Sequence, residues 1–190
     1  AVELGADILG FVFADSSRRA APELLETLWE LPVLKAAVVV ADAEHGGLPG
    51  EVAELRSRGL IDVVQFHGSE APEECYPQVY PYYKAIRCRE PSDAAETRRY
   101  GSPRVLVDAF DRSAYGGTGK RLRPDIVRAV REVTPLWLAG GLRPEHIREV
   151  VREYRPELVD VSSGVERAPG RKDADKLKRF FEELNHGSST

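Results

Sequence analysis

Seven short apolar runs alternate with amphipathic stretches, and small-residue turns close the last two runs. These observations predict an α/β fold on a parallel sheet, specifically a (β/α)8 TIM barrel with seven of its eight strands visible. The runs are Ile8–Phe13, Ala36–Ala41, Ile61–Phe66, Tyr83–Cys88, Arg104–Ala109, Leu136–Ala139 and Leu158–Ser162. Each is short, rich in Val and Ile, and apolar on both faces, as buried parallel strands are.

The stretches between the runs carry helical periodicity. Leu24, Leu25, Leu28 and Trp29 fit one helical face, as do Ile147, Val150, Val151 and Tyr154, then Leu177, Phe180, Phe181 and Leu184. Pro22 and Pro144 stand where first-turn prolines belong, and Gly59 where a helix ends. AVELGAD (Ala1 to Asp7) reads as the end of a helix entering the first run. An open seven-stranded sheet exposes two long apolar edges, which proteins avoid. The expectation is therefore one barrel domain over residues 1–185, lacking its first strand and most of its first helix, with 186–190 a disordered tail. A flavodoxin-like open sheet is the alternative. It is disfavoured because the glycine turns fall on the last two units, where barrels hold phosphate.

Composition narrows the partners. Charged residues make up 31% of the 190, both signs are interleaved, and the net charge is −4, so no basic stripe invites nucleic acid. No apolar stretch approaches the roughly 18 residues of a membrane span. Two cysteines, Cys75 and Cys88, suit reduced thiols in a cytoplasmic protein better than a disulfide framework. No His, Cys and Asp cluster has metal-ligand spacing, and no cofactor motif is present.

The chemistry sits at strand ends. LWLAGG (Leu136 to Gly141) and LVDVSSGVE (Leu158 to Glu166) each end an apolar run in small residues, with a helical pattern after it. Bare backbone N–H groups and a helix N-terminus make an anion cup, so Gly140, Gly141, Ser163 and Gly164 are candidate phosphate ligands. Asp108 closes RVLVDAF (Arg104 to Phe110). It is either a general acid or a carboxylate bonded to the N–H groups of the next loop, because burying it alone is costly. His67, in DVVQFHGSE (Asp62 to Glu70), either positions substrate or caps its own loop. Ser16, Ser17, Arg18 and Arg19 follow the first run, and an arginine there is suited to clamp a carboxylate. YGGTGK (Tyr115 to Lys120) misses the nucleotide phosphate-loop pattern, since Arg121 occupies its Ser/Thr position. It reads as a glycine-rich lid or a plain turn.

GFVF with SSRRAAPE, then DVVQFHG, LVDAF with YGGTGK, LAGGLRPEHI and VDVSSGVERAPGRKD together resemble the phosphoribosylanthranilate isomerases of tryptophan biosynthesis, from Gly5 to about Leu184. The resemblance implies an isomerase that performs an Amadori rearrangement of N-(5′-phosphoribosyl)anthranilate and needs no cofactor. Asp108 matches the family's general acid and Arg18 the arginine near the anthranilate carboxylate. His67 matches the pocket-lining histidine, and Gly140, Gly141, Ser163 and Gly164 match the phosphate cups. Asp160 lies in the matching strand, toward the ribose hydroxyls. The sequence does not fix the oligomeric state, and a monomer or a homodimer is expected.

One departure stands out. The family's general base is a cysteine in a Cys-Gly first strand, and no such segment occurs here. The expectation is that these residues alone are inactive or nearly so, with Cys88 an inert thiol rather than a substitute base. Two other readings remain. One is a related sugar-phosphate isomerase of histidine biosynthesis, or a dual-substrate form, with an Asp base on the first strand. The other is a barrel that binds a phosphorylated ligand without turnover.

Overall fold

In a computed structural model the described residues are 1–41, 47–75, 79–102, 104–108 and 123–188. They form two compact units, residues 1–85 with 100–102, and residues 86–99 with 104–188.

The first unit opens on a 3-10 turn, Val2–Leu4, closed by Gly5 at φ 97°. The strands β1 (Ile8–Val12), β2 (Leu34–Val39), β3 (Val63–Phe66) and β4 (Tyr82–Arg87) follow in parallel and in chain order. Between them lie α1 (Glu23–Thr27), α2 (Gly50–Ser57) and the single turn α3 (Pro72–Cys75). Phe11, Ala37, Val39, Val64 and Phe66 pack with Leu25, Val52 and Leu55 of the helices. Since side chains alternate across a strand, Gln65 and His67 occupy the face opposite Val64 and Phe66.

The second unit contains the end of β4, then β5 (Val105–Asp108), β6 (Trp137–Ala139) and β7 (Leu158–Val159), again parallel in chain order. The Cys88 N–H donates to the Asp108 carbonyl at 3.1 Å, which joins the end of β4 to β5. The helices α4 (Pro124–Arg131), α5 (Ile147–Tyr154) and α6 (Ala174–Ser188) bury Ile126, Val130, Ile147 and Phe180 against Val105, Val107 and Leu138. A hairpin, β8 (Glu166–Ala168) and β9 (Arg171–Lys172), precedes α6.

All seven apolar runs are strands, each within a few residues of its expected span. The chain is α/β with seven parallel strands, as in the (β/α)8 class. Three local expectations need correction. The α1 periodicity fails: Leu25 is buried, but Leu24 is 44% and Trp29 63% exposed, because the helix ends at Thr27 after barely one turn. His186, Gly187 and Ser188 are not a disordered tail. They continue α6, and Gly187 is buried close against the Arg148 carbonyl. Finally, no α-helix follows the Ser163–Gly164 turn directly; a 3-10 turn, Ser163–Val165, and the hairpin come first.

Candidate active site

In the second unit the strand ends bring the polar residues to one level. Asp108 pairs with Ala139 across β5 and β6, and the Asp160 N–H donates to the Leu138 carbonyl at 2.8 Å. Val105, Val107, Leu138 and Val159 pack toward the helices. Asp108, Ala139 and Asp160 therefore project from the other face. Asp108 and Asp160 are both half-buried.

The two glycine cups touch through their backbones. Gly140 and Gly141 leave β6 at φ 96° and 61°, left-handed conformations that favour glycine. A Cβ placed on Gly164 would stand 1.8 Å from the Leu142 carbonyl oxygen, so only glycine permits this approach. The hairpin braces the second cup. Lys172 Nζ donates to the Ser162 carbonyl at 3.0 Å and pairs with the buried Glu166 at 3.2 Å. Asp173 Oδ1 accepts the N–H groups of Asp175 and Lys176, which caps α6. His146, at the start of α5, is held below the ordinary imidazole value by burial, although a hydrogen bond to the Gly141 backbone opposes the shift.

The first unit carries the other candidates. Arg19 is committed to the scaffold. Its guanidinium donates to the Phe13 carbonyl and pairs with Glu51. The half-buried Arg18 has its N–H on Ser16 Oγ at 3.1 Å. The exposed His67 places Nδ1 2.6 Å from Gln65 Nε2, and its N–H donates to the Val39 carbonyl at 2.8 Å. Behind it lies a buried ion pair absent from the sequence reading. Lys84 Nζ is 3.1 Å from Glu70 Oε2, and both side chains are 2% exposed. The available signal was a lone lysine inside the apolar run Tyr83–Cys88, with an acid, Glu70, four residues past the end of the preceding run.

Cys88 is buried beside the Asp108 strand. Burial, then the charges of Asp93 and Asp108, push its thiol up to about 12. Burial likewise pushes Cys75 up to about 11. Neither is a nucleophile or base near neutrality. Among the described residues no group of three or more His, Cys, Asp or Glu is placed to hold a metal ion. Nor is any helix there long and apolar enough to cross a membrane. The YGGTGK segment lies outside the described residues.

The family model for N-(5′-phosphoribosyl)anthranilate (PRA) isomerase matches residues 1–183. The chain belongs to the PRA isomerase family. A PRA isomerase of Geobacter sulfurreducens is 41% identical over 182 residues, covering 95% of this chain and 89% of its own. The PRA isomerase of Halorhodospira halophila is 39% identical over 193 residues, covering 100% and 91%. Among solved structures, the PRA isomerase of Thermotoga maritima superposes with a TM-score of 0.82 at 34% identity, covering 97% of this chain and 90% of that one. A PRA isomerase complexed with reduced 1-(o-carboxyphenylamino)-1-deoxyribulose 5-phosphate gives 0.78 at 33% identity, with the same coverage.

Proposed function

We propose that the natural protein catalyses the PRA isomerase reaction of tryptophan biosynthesis, the conversion of N-(5′-phosphoribosyl)anthranilate to 1-(2-carboxyphenylamino)-1-deoxyribulose 5-phosphate, and that the residues of this chain supply its general acid and phosphate cups. The observation that carries this reading is the pairing of Asp108 with Ala139, one residue before the Gly140–Gly141 cup, in a chain of this family. A phosphate on the N–H groups of Gly140, Gly141, Ser163 and Gly164 anchors one end of the substrate. Asp108 protonates the ribose ring oxygen. The C1′–O4′ bond breaks, and the anilino nitrogen lone pair closes a C1′=N iminium. A base then takes the C2′ proton to give an enolamine, which tautomerises to the C2′ ketone and a C1′ methylene. Cys88 is not that base, because its thiol stays protonated at neutral pH. By resemblance the base is a cysteine of a Cys-Gly strand, and neither Cys75 nor Cys88 lies in one. Arg18 pairs with the anthranilate carboxylate, His67 lines the pocket and Asp160 meets the ribose hydroxyls.

We read residues 1–185 as one (β/α)8 domain, cytoplasmic and monomeric or homodimeric. The solved relatives include a Thermotoga maritima PRA isomerase described as dimeric. Steady-state turnover of phosphoribosylanthranilate by the natural protein and its Asp108→Asn variant tests the reading. The expected loss in kcat is about 10²–10⁴-fold, the usual contribution of a positioned acid. Undiminished turnover by Asp108→Asn would remove Asp108 from the mechanism, and absence of turnover in the parent would leave a phosphate-binding relative.

A further inference from the structure

Gln65 is an uncommon residue for its place: a primary amide in the middle of a parallel strand, 3% exposed. A buried amide must have its donors and acceptor satisfied. In the β3–β4 register it stands directly opposite Tyr83, which is also buried. The Tyr83 hydroxyl donates to Gln65 Oε1 at 2.9 Å. That contact turns the amide NH2 the other way, toward His67 Nδ1 at 2.6 Å. An amide NH2 only donates, so Nδ1 accepts, and a neutral ring then carries its proton on Nε2.

The backbone under the ring is held as firmly as the ring. Lys84 Nζ donates to the carbonyls of Phe66 (3.4 Å) and Gly68 (3.0 Å), on either side of His67. Glu70 Oε1 accepts the Gly68 N–H at 3.0 Å and the Ala41 N–H at 2.8 Å. Gly68 is tight against that carboxylate: a Cβ there would stand 2.6 Å from Glu70 Oε1. The exposed His67 thus stands on a buried base tied by hydrogen bonds and an ion pair, and its orientation is built in before any substrate arrives.

We propose that Gln65 and Tyr83 are positioning residues that hold His67 as its Nε2–H tautomer, so that the ring presents a hydrogen-bond donor to an acceptor oxygen of the substrate. The substrate half of this statement rests on the isomerase reading; the tautomer half does not. In this arrangement His67 is a donor that orients substrate, and proton abstraction is left to another group.

Long-range ¹H–¹⁵N correlation on the uniformly labelled full chain, at a pH where the imidazole is neutral, reads the tautomer directly. His67→Asn identifies the His67 signals. The expected pattern is a pyrrole-type Nε2 and a pyridine-type Nδ1. Gln65→Glu replaces the donor with an acceptor and is expected to exchange the two signals. Tyr83→Phe removes only the hydroxyl that orients the amide, and is expected to give mixed tautomers even if Gln65→Glu does not fold. An Nδ1–H tautomer in the parent, which an amide turned the other way would require, overturns the proposal. So do signals that neither variant moves. In turnover, Gln65→Glu is expected to lower kcat/KM about tenfold or more, as small misplacements in enzyme sites do. A variant with exchanged tautomer and unchanged kcat/KM overturns the substrate half. Absence of turnover in a parent that shows the Nε2–H tautomer counts against the isomerase reading alone.

Discussion

Glu70→Gln is the sharpest test of how the first unit is held. In the parent, the Glu70 and Lys84 side chains are each 2% exposed and 3.1 Å apart. Lys84 Nζ also reaches the carbonyls of Phe66, Gly68 and Ala85, while Glu70 Oε1 takes the N–H groups of Ala41 and Gly68. The amide of the variant either keeps the two backbone bonds and turns its NH2 donors toward a buried ammonium, or turns a neutral oxygen to the ammonium and loses both backbone bonds. Breaking a buried pair from one side costs about 3–5 kcal/mol, because the remaining charge is left uncompensated. A domain of this size loses about 2–4 °C in Tm per kcal/mol, so the expected fall is about 6–20 °C. Thermal and urea unfolding at pH 7 measure it. The double variant Glu70→Leu with Lys84→Met should lose less than the two single losses added together, since both charges leave. A loss below about 1 kcal/mol, the range of an exposed pair such as Arg58–Glu26, would refute the reasoning. The pH dependence has a definite sign. Burial alone would raise the Glu70 carboxyl, but the Ala41 N–H and the Lys84 charge outweigh it and hold the group below its ordinary value. Its contribution is therefore present above about pH 4.3 and is lost as pH falls through the lower folded value. Glu70→Gln should lack that part of the acid destabilisation.

Three further outcomes are expected. Cys75 and Cys88, with thiols pushed up to about 11 and about 12, should resist a thiol reagent at pH 8 until denaturant is added; rapid native labelling would contradict their burial. Gly164→Ala forces the Leu142 carbonyl away from its cup and should raise KM for the phosphorylated substrate about tenfold or more; an unchanged KM would mean that phosphate binds elsewhere. Arg155, the residue capping α5 at φ 44°, is the non-glycine left-handed position among the described residues, so Arg155→Gly should leave stability unchanged or raise it by about 1 kcal/mol in urea unfolding, and a clear loss would show that its side chain matters more than its strain.

Much of this architecture was legible along the chain because it is written in local periodicity. Ile147, Val150, Val151 and Tyr154 share a buried face because a helix repeats every 3.6 residues. The Gly140–Gly141 turn and the Gly59 helix end show as glycines because left-handed backbone selects them. The α1 face misread Leu24 and Trp29 because periodicity says nothing about where a helix stops. The hairpin Glu166–Lys172 was missed because its strands are too short to alternate visibly.

What the sequence by itself determined is the order of strands and helices, the apolar faces that drive their burial, and the motifs that identify the family. Only the tertiary structure decided which distant residues meet: Gln65 with Tyr83, Glu70 with Lys84, Gly164 with the Leu142 carbonyl. The physical reason is that a residue's own periodicity is set by its neighbours in the chain. Strand register and loop closure are set by contacts between residues far apart, and a buried charge or amide is tolerable only once those contacts have formed.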